Sequence, residues 1–217
     1  MQPFLTVFYR LIVPSAMLLP KNNYLCDMKN ENEMPRNTKN YVEICVGISP
    51  SAKWYQALRK QIRGRGVEWK ESGFHITALF ADDDSKKVEM TRGLDSTLSG
   101  RTAPRLTFDK IEVFTGQSGK EHIVNITSSC PEKEFTEMVE SIRGVAKRLG
   151  VSIEDYRLHV TLARVPVELA TLEDLKARVE KIVVPKFSLP LTEVRYRYYD
   201  LKLERGLIED WNLKEVK

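Results

Sequence analysis

Two short segments constrain this chain more than anything else in it. His75-Ile76-Thr77-Ala78-Leu79-Phe80 and His159-Val160-Thr161-Leu162-Ala163-Arg164 repeat one grammar: His, apolar, Thr, apolar, each preceded by an apolar residue, Phe74 or Leu158. The chain holds three histidines in 217 residues, and two of them open these segments. Both segments read as strands. The two-residue period of a strand then puts His75, Thr77 and Leu79 on one face, with Ile76, Ala78 and Phe80 on the other. By the same rule His159, Thr161 and Ala163 lie opposite Val160 and Leu162. The apolar faces suit helices packed behind them, so the His/Thr faces must look onto something polar.

The rest of the pattern supplies the halves that such a repeat requires. Val42, Ile44, Val46 and Ile48 alternate with Glu43, Cys45 and Gly47, which predicts a half-buried strand whose small Cys45 and Gly47 leave room on the polar side. Ser49-Pro50 offers an N-cap and first-turn proline for a helix to about Ile62, burying Trp54, Leu58 and Ile62. Arg63-Gly64-Arg65-Gly66 breaks it, and a short strand is expected at Val67–Trp69. Asp82 to Asp84 can cap a helix reaching about Leu98. Strands are expected at 105–114 and 122–127. The clearest helix spans Glu132 to Leu149, where Phe135, Met138, Val139, Ile142, Val145 and Ala146 follow helical spacing and Gly150 supplies the stop. A strand at Leu158–Ala163, a helix Leu172–Ile182 capped by Thr171, and strands near 186–191 and 194–203 complete the order. This is an α+β arrangement of two similar halves with a groove between them.

Residues 1–40 stand apart from this pattern. The first twenty are apolar, but Pro3, Arg10, Pro14 and Pro20 interrupt a membrane span, and a signal peptide would carry its charge earlier and a small-residue cleavage site after it. Residues 21–40 are rich in Asn, Lys and Glu. The forty together read as a poorly structured extension before a domain at 41–217. Cys26, Cys45 and Cys130 form no CxxC pair, which excludes a disulfide scaffold or structural zinc and points to a cytoplasmic protein. Thirty-four basic against thirty acidic residues leave a net charge of +4, too little for a duplex track and compatible with a small anion or a short RNA end. The chain is read as a monomer without a membrane partner.

The paired HITALF and HVTLAR segments resemble those of the 2H phosphoesterase superfamily, the LigT-like or 2′-5′ RNA ligase-like proteins, defined by two H-x-[ST] motifs. The second motif is the closer match, with Arg164 at a position often basic in the bacterial branch. The first has Ala78 where the family usually carries Leu. Val67-Glu68-Trp69 is similar to the family's aromatic strand ahead of motif one. The resemblance covers Tyr41 to Lys217 and implies a bilobal fold of two pseudo-symmetric antiparallel sheets, helices outside, and a central groove holding the active site.

Phosphodiester cleavage needs one group to take a proton from the nucleophile and another to protonate the leaving oxygen. Two imidazoles meet both needs near neutral pH. His75 and His159 are therefore the candidate acid/base pair, with either order open. Thr77 and Thr161 are candidates to donate to the non-bridging oxygens. Arg164 is a candidate substrate contact, although on a regular strand it points away from His159 and reaches the groove only where the strand ends or bulges. Tyr198, among Tyr196, Tyr199, Arg195 and Arg197, is a candidate base-stacking residue. Arg59, Lys60, Arg63, Arg65 and Lys70 form a basic cluster before motif one. His122 has no Thr two residues on and reads as an ordinary strand residue. No cofactor is expected, and no metal, since the histidines have no closely spaced third ligand. The expected activity is hydrolysis of 2′,3′-cyclic or 2′-5′-linked nucleotide or RNA phosphodiesters. A non-catalytic AMP-like or RNA-end binding module, or a 2′-5′ RNA ligase, are the alternatives.

Overall fold

In the computed structural model, which describes residues 40–81, 84–153, 157–200 and 205–215, the first alternating segment forms strand β1, Asn40–Cys45. Helix α1 (Lys53–Gln61), strands β2 (Glu68–Trp69) and β3 (His75–Ala81), and helix α2 (Lys87–Leu98) follow. Next come strands β4 (Arg105–Phe108), β5 (Lys110–Thr115) and β6 (Glu121–Thr127), helix α3 (Lys133–Arg148), strand β7 (Val160–Pro166) and helix α4 (Leu172–Val179). Strands β8 (Phe187–Pro190), β9 (Glu193–Asp200) and β10 (Arg205–Asn212) end the order. The expectations for residues 1–39, for Asp82 as part of a cap and for strand at 201–203 lie outside the described residues.

The main sheet runs β10-β9-β1-β3-β7-β6-β5, with β2 on β7, and every pairing is antiparallel. Strands β4 and β8 form a separate two-stranded ribbon. The sequence of β1, α1, β3 and α2 is matched by that of β6, α3, β7 and α4. In both, two antiparallel neighbours enclose a helix. The halves meet where β3 pairs β7 through one residue pair, Ile76 with Val160.

The helices cover one face of the sheet and leave the other open, and they cross between the halves. Helix α3 belongs to the second half but packs on β3 and α2 of the first. Its stripe Phe135, Met138, Val139, Ile142, Val145 and Ala146 is no more than 2% exposed, each large side chain adding roughly 1.5–3 kcal/mol by burial. The helix ends as its sequence predicts. Gly150 adopts φ 70°, its N–H meets the Lys147 carbonyl, and the Val151 N–H meets the Ala146 carbonyl, the Schellman pattern that favours glycine. Thr171 caps α4 as expected, its Oγ accepting from the Asp174 N–H at 3.1 Å. Helix α1 makes the reverse crossing, packing against α4.

Three local expectations are corrected. Helix α1 begins at Lys53 with no side-chain cap, because Ser49 closes a turn instead, its carbonyl accepting from the Ala52 N–H. Tyr55, absent from the predicted buried stripe, is fully buried, whereas Trp54 is half-buried. The single strand expected at 105–114 breaks at Asp109, whose carboxylate turns to accept from the Ser129 N–H and Oγ at 2.8 and 2.5 Å. The largely exposed strand β10 has no clean alternation to announce it and forms by pairing along β9.

The alternation predicted within the two motif strands also fails, and in the same way in each. Leu79 pairs Val42 and Thr77 pairs Glu43, leaving Ala78 as an extra residue. Ala163 pairs Val124 and Thr161 pairs Asn125, leaving Leu162 extra. A one-residue bulge shifts the phase of side chains beyond it. Leu79 and Ala163 therefore turn inward, 0% and 1% exposed, while Phe80 and Arg164 turn to the open face beside Tyr41 and Ile123.

Each bulge is held by the helix that crosses from the other half. Arg143 of α3 donates its Nε to the Ala78 carbonyl at 3.0 Å. Tyr55 of α1 shares its one hydroxyl hydrogen between the Lys70 carbonyl at 2.6 Å and the Leu162 carbonyl at 3.1 Å. Replacing Tyr55→Phe removes these bonds at constant packing and is expected to lower stability by about 1–2 kcal/mol. Urea unfolding with an unchanged m-value checks this.

Candidate active site

Extending the Ile76–Val160 register by one residue each way sets His75 opposite Thr161 and Thr77 opposite His159. The two motifs thus face one another about a local twofold axis. The histidines form a diagonal pair, which antiparallel geometry puts about 7–8 Å apart at Cα. All four side chains are half-buried.

Both imidazoles are oriented by the same device. His75 Nδ1 lies 2.9 Å from the Gly73 carbonyl, and His159 Nδ1 lies 2.8 Å from the Arg157 carbonyl, in each case two residues back. A carbonyl only accepts, so Nδ1 carries the hydrogen in both and Nε2 is left as the basic nitrogen. Gly73 adopts φ 61° to bring its carbonyl to this place, a backbone state that glycine enters at little cost.

The surroundings of the two rings differ. Around His75 stand Glu43 of β1, with Oε2 3.3 Å from Nδ1, and Lys70, with Nζ 3.5 Å from the same nitrogen. Tyr41 lies near the ring at 6.3 Å between centroids. Glu43 is buried and is held through Oε1 by Arg197 Nε at 2.8 Å and Arg195 at 3.7 Å. Around His159 stand Phe114, edge-on at 5.1 Å, and two cations bound elsewhere. Arg157 pairs Glu112 at 2.7 Å, and Arg164 pairs Glu121 at 2.8 Å. Burial is the main cause that pulls both imidazoles below the ordinary histidine range. For His75 the Glu43 carboxylate opposes it, with Lys70 and Arg197 assisting. For His159 the Arg157 carbonyl opposes it and the Arg157 and Arg164 charges assist.

Of the expected site residues, the structure gathers His75, Thr77, His159, Thr161 and Arg164 on the open face, the last through the bulge at Leu162. It does not bring Tyr198 there. Tyr198 shares the opposite face of β9 with the fully buried Tyr196, donates to Glu209 at 3.3 Å and lies under Lys87. The Tyr199 side chain lies outside the described residues. Arg195 and Arg197 do face the open side, but acidic partners hold them. Of the basic cluster only Lys70 reaches a histidine, while Arg59 pairs Glu71 and covers Trp69. His122 is buried on the helix side against Thr115.

Glu43 and Phe114 did not stand out in the sequence. A carboxylate inside an otherwise apolar alternation, as Glu43 is, was the available signal. Cys45 is the pairing partner of His75, and burial and then Glu193 push its thiol up to about 12. Among the described residues no group of three or more His, Cys, Asp or Glu side chains could hold a metal, and no helix is long and apolar enough to cross a membrane. Nitrogen NMR on the free protein above pH 7 is expected to show the Nδ1–H tautomer at both His75 and His159; an Nε2–H signature at either would contradict the carbonyl contacts.

By sequence the chain matches no protein-family model and no curated protein. Solved structures do match its fold. A phosphoesterase crystal structure aligns with TM-score 0.55 at 14% identity, over 82% of this chain and 99% of that one. E. coli LigT complexed with 3′-AMP aligns with TM-score 0.50 at 17% identity, over 81% and 98%. Kluyveromyces marxianus Usb1 aligns with TM-score 0.52 at 8% identity, over 82% and 99%. The chain has the fold of the LigT-like 2H phosphoesterases.

Proposed function

We propose that this protein is a metal-independent phosphodiesterase that opens 2′,3′-cyclic or 2′-5′-linked phosphodiesters at nucleotides or RNA ends. The observation that carries the reading is the facing pair of His-x-Thr segments about Ile76 and Val160, each with its imidazole Nδ1 tied to a carbonyl two residues back. The exposed nitrogens are then both Nε2, one to take a proton from the attacking water and one to give a proton to the leaving oxygen. Thr77 and Thr161 donate to the non-bridging oxygens, where charge grows in the transition state. Arg164 adds a charge-assisted contact by exchanging Glu121 for phosphate. Phe114 offers an apolar surface beside His159. The nucleotide bound in the LigT crystal structure supports a ligand of this class on the same fold. The reading places a monomer in a reducing, cytoplasmic setting. A module that binds without turnover would use the same groups, and turnover separates the two.

The primary test is hydrolysis of a 2′,3′-cyclic nucleotide in excess chelator. Wild type is expected to remain fully active, and His75→Ala and His159→Ala each to lose at least about 10²-fold in kcat. Full activity in either variant, or loss of wild-type activity to the chelator, would overturn the mechanism.

The pH dependence carries a sign. Catalysis needs one neutral and one protonated imidazole. Both are held below the ordinary value of 6.5 in the free protein, so the singly protonated pair is most abundant on the acid side of that value. The kcat/KM profile is expected to be a bell centred below pH 6.5. The kcat profile should peak at higher pH, because a bound phosphate anion favours imidazolium. A kcat/KM maximum above pH 7, with chemistry rate-limiting, would count against two-histidine catalysis.

A further inference from the structure

The twofold arrangement of the motifs leaves open which histidine gives the proton and which takes it. Their surroundings break the symmetry. Besides the Gly73 carbonyl, His75 Nδ1 faces a second acceptor, the Glu43 Oε2 at 3.3 Å. That oxygen is buried and makes no hydrogen bond among the described residues, so its lone pairs are directed to nothing better than this imidazole. His159 Nδ1 faces the Arg157 carbonyl, and the carboxylates that meet its two arginine neighbours are engaged by cations: Glu112 by Arg157 and Lys110, Glu121 by Arg164.

We infer that Glu43 is a positioning residue that makes His75 the proton donor to the leaving oxygen and leaves His159 as the base. The inference rests on the phosphodiesterase reading and deepens it. A desolvated carboxylate about 3 Å from an imidazole favours the charged ring far more than the same group in water would. The other charged groups that act on His75 are Lys70, beyond β2, and Arg197 of β9, and both oppose protonation; Arg195 stands behind them at Glu43. Arg197 and Arg195 engage Oε1 of Glu43, whereas the histidine faces Oε2. The arginines thus occupy one oxygen of Glu43 and leave the other turned to His75. His159 has no such source, since the cations Arg157 and Arg164 are its charged neighbours and both disfavour a second positive charge.

The proton balance is closed. Neutral His159 accepts a proton on Nε2 from water as the water oxygen bonds to phosphorus. The bond from phosphorus to the leaving oxygen breaks, and that oxygen takes the Nε2 proton of the His75 imidazolium. His159 ends protonated and His75 neutral, and exchange with solvent restores the starting pair. No further reactant is needed.

Two measurements test the assignment, one of them independent of any activity. Titration of the two imidazoles by NMR in the full chain should find His75 titrating above His159. Glu43→Gln should lower the His75 midpoint by about one pH unit or more. Arg197→Gln, which frees the Glu43 charge, should raise it, and His159 should stay put in both. Opposite shifts confined to one histidine are not what a folding defect gives. A His75 midpoint at or below that of His159, or one unmoved by Glu43→Gln, would overturn the role of Glu43 whether or not the protein proves to be an enzyme. The second measurement compares a 2′,3′-cyclic nucleotide with a nucleoside p-nitrophenyl phosphodiester, whose phenolate leaves without a proton. His75→Ala should cost at least about 10²-fold on the cyclic substrate and less than about tenfold on the p-nitrophenyl ester, while His159→Ala should cost at least about 10²-fold on both. The reverse pattern would make His159 the acid. A wild type inactive on both substrates would instead defeat the phosphodiesterase reading and leave the titration result standing.

Discussion

The pairing of Ile76 with Val160 is the contact on which the rest depends. It is a single backbone pair at the junction of two half-sheets, and its register decides which side chains meet. A slip of one residue in either strand would turn that strand's histidine to the helix side and part it from the other. With the register fixed, each histidine lies across from the other motif's threonine. The helix-covered faces are what fix it: Ile76 and Val160 are at most 1% exposed, so the pair is pinned by packing that any slip would sacrifice.

The paired bulges extend this control outward. A regular strand would have alternated Leu79 and Ala163 onto the open face and sent Phe80 and Arg164 inward. Inserting Ala78 and Leu162 reverses that. The half-exposed Phe80 and the exposed Arg164 arrive on the side of the histidines, and the core gains two more apolar residues. The extra carbonyls that a bulge leaves behind need donors inside a water-poor layer. Arg143 is that donor at Ala78, and at Leu162 the Tyr55 hydroxyl joins the Lys70 N–H, which explains why a cation and a phenol sit where packing alone would favour aliphatic residues.

Much of the arrangement was legible in the sequence because it rests on local periodicity. The alternation of β1, the stripe and glycine stop of α3, the Thr171 cap and the matched His-x-Thr strands each follow from residues close together in the chain. What escaped depends on partners far away in sequence. Tyr55 bonds a carbonyl 107 residues on, and Arg197 meets Glu43 across 154. Strand β10 exists because β9 offers an edge. The bulges could not be placed either, since an extra residue is defined only against the neighbouring strand. The polarity of the open face was legible at His75 and His159, but the asymmetry that Glu43 introduces between them was not.

The crossing of α1 and α3 has a consequence for any attempt to take the molecule apart. Each half carries one histidine, yet the helix capping the bulge behind that histidine is contributed by the other half. A fragment ending between β6 and α3 would expose the inner face of β3 and leave the Ala78 carbonyl without Arg143. The complementary fragment would lose Tyr55 from Leu162. Each piece loses a donor to its own bulge that the other piece carries. Recombined as separate chains, the two would have to exchange helices before either histidine found its place, so reassembly of the fragments should behave as coupled folding and binding with no preformed site on either partner.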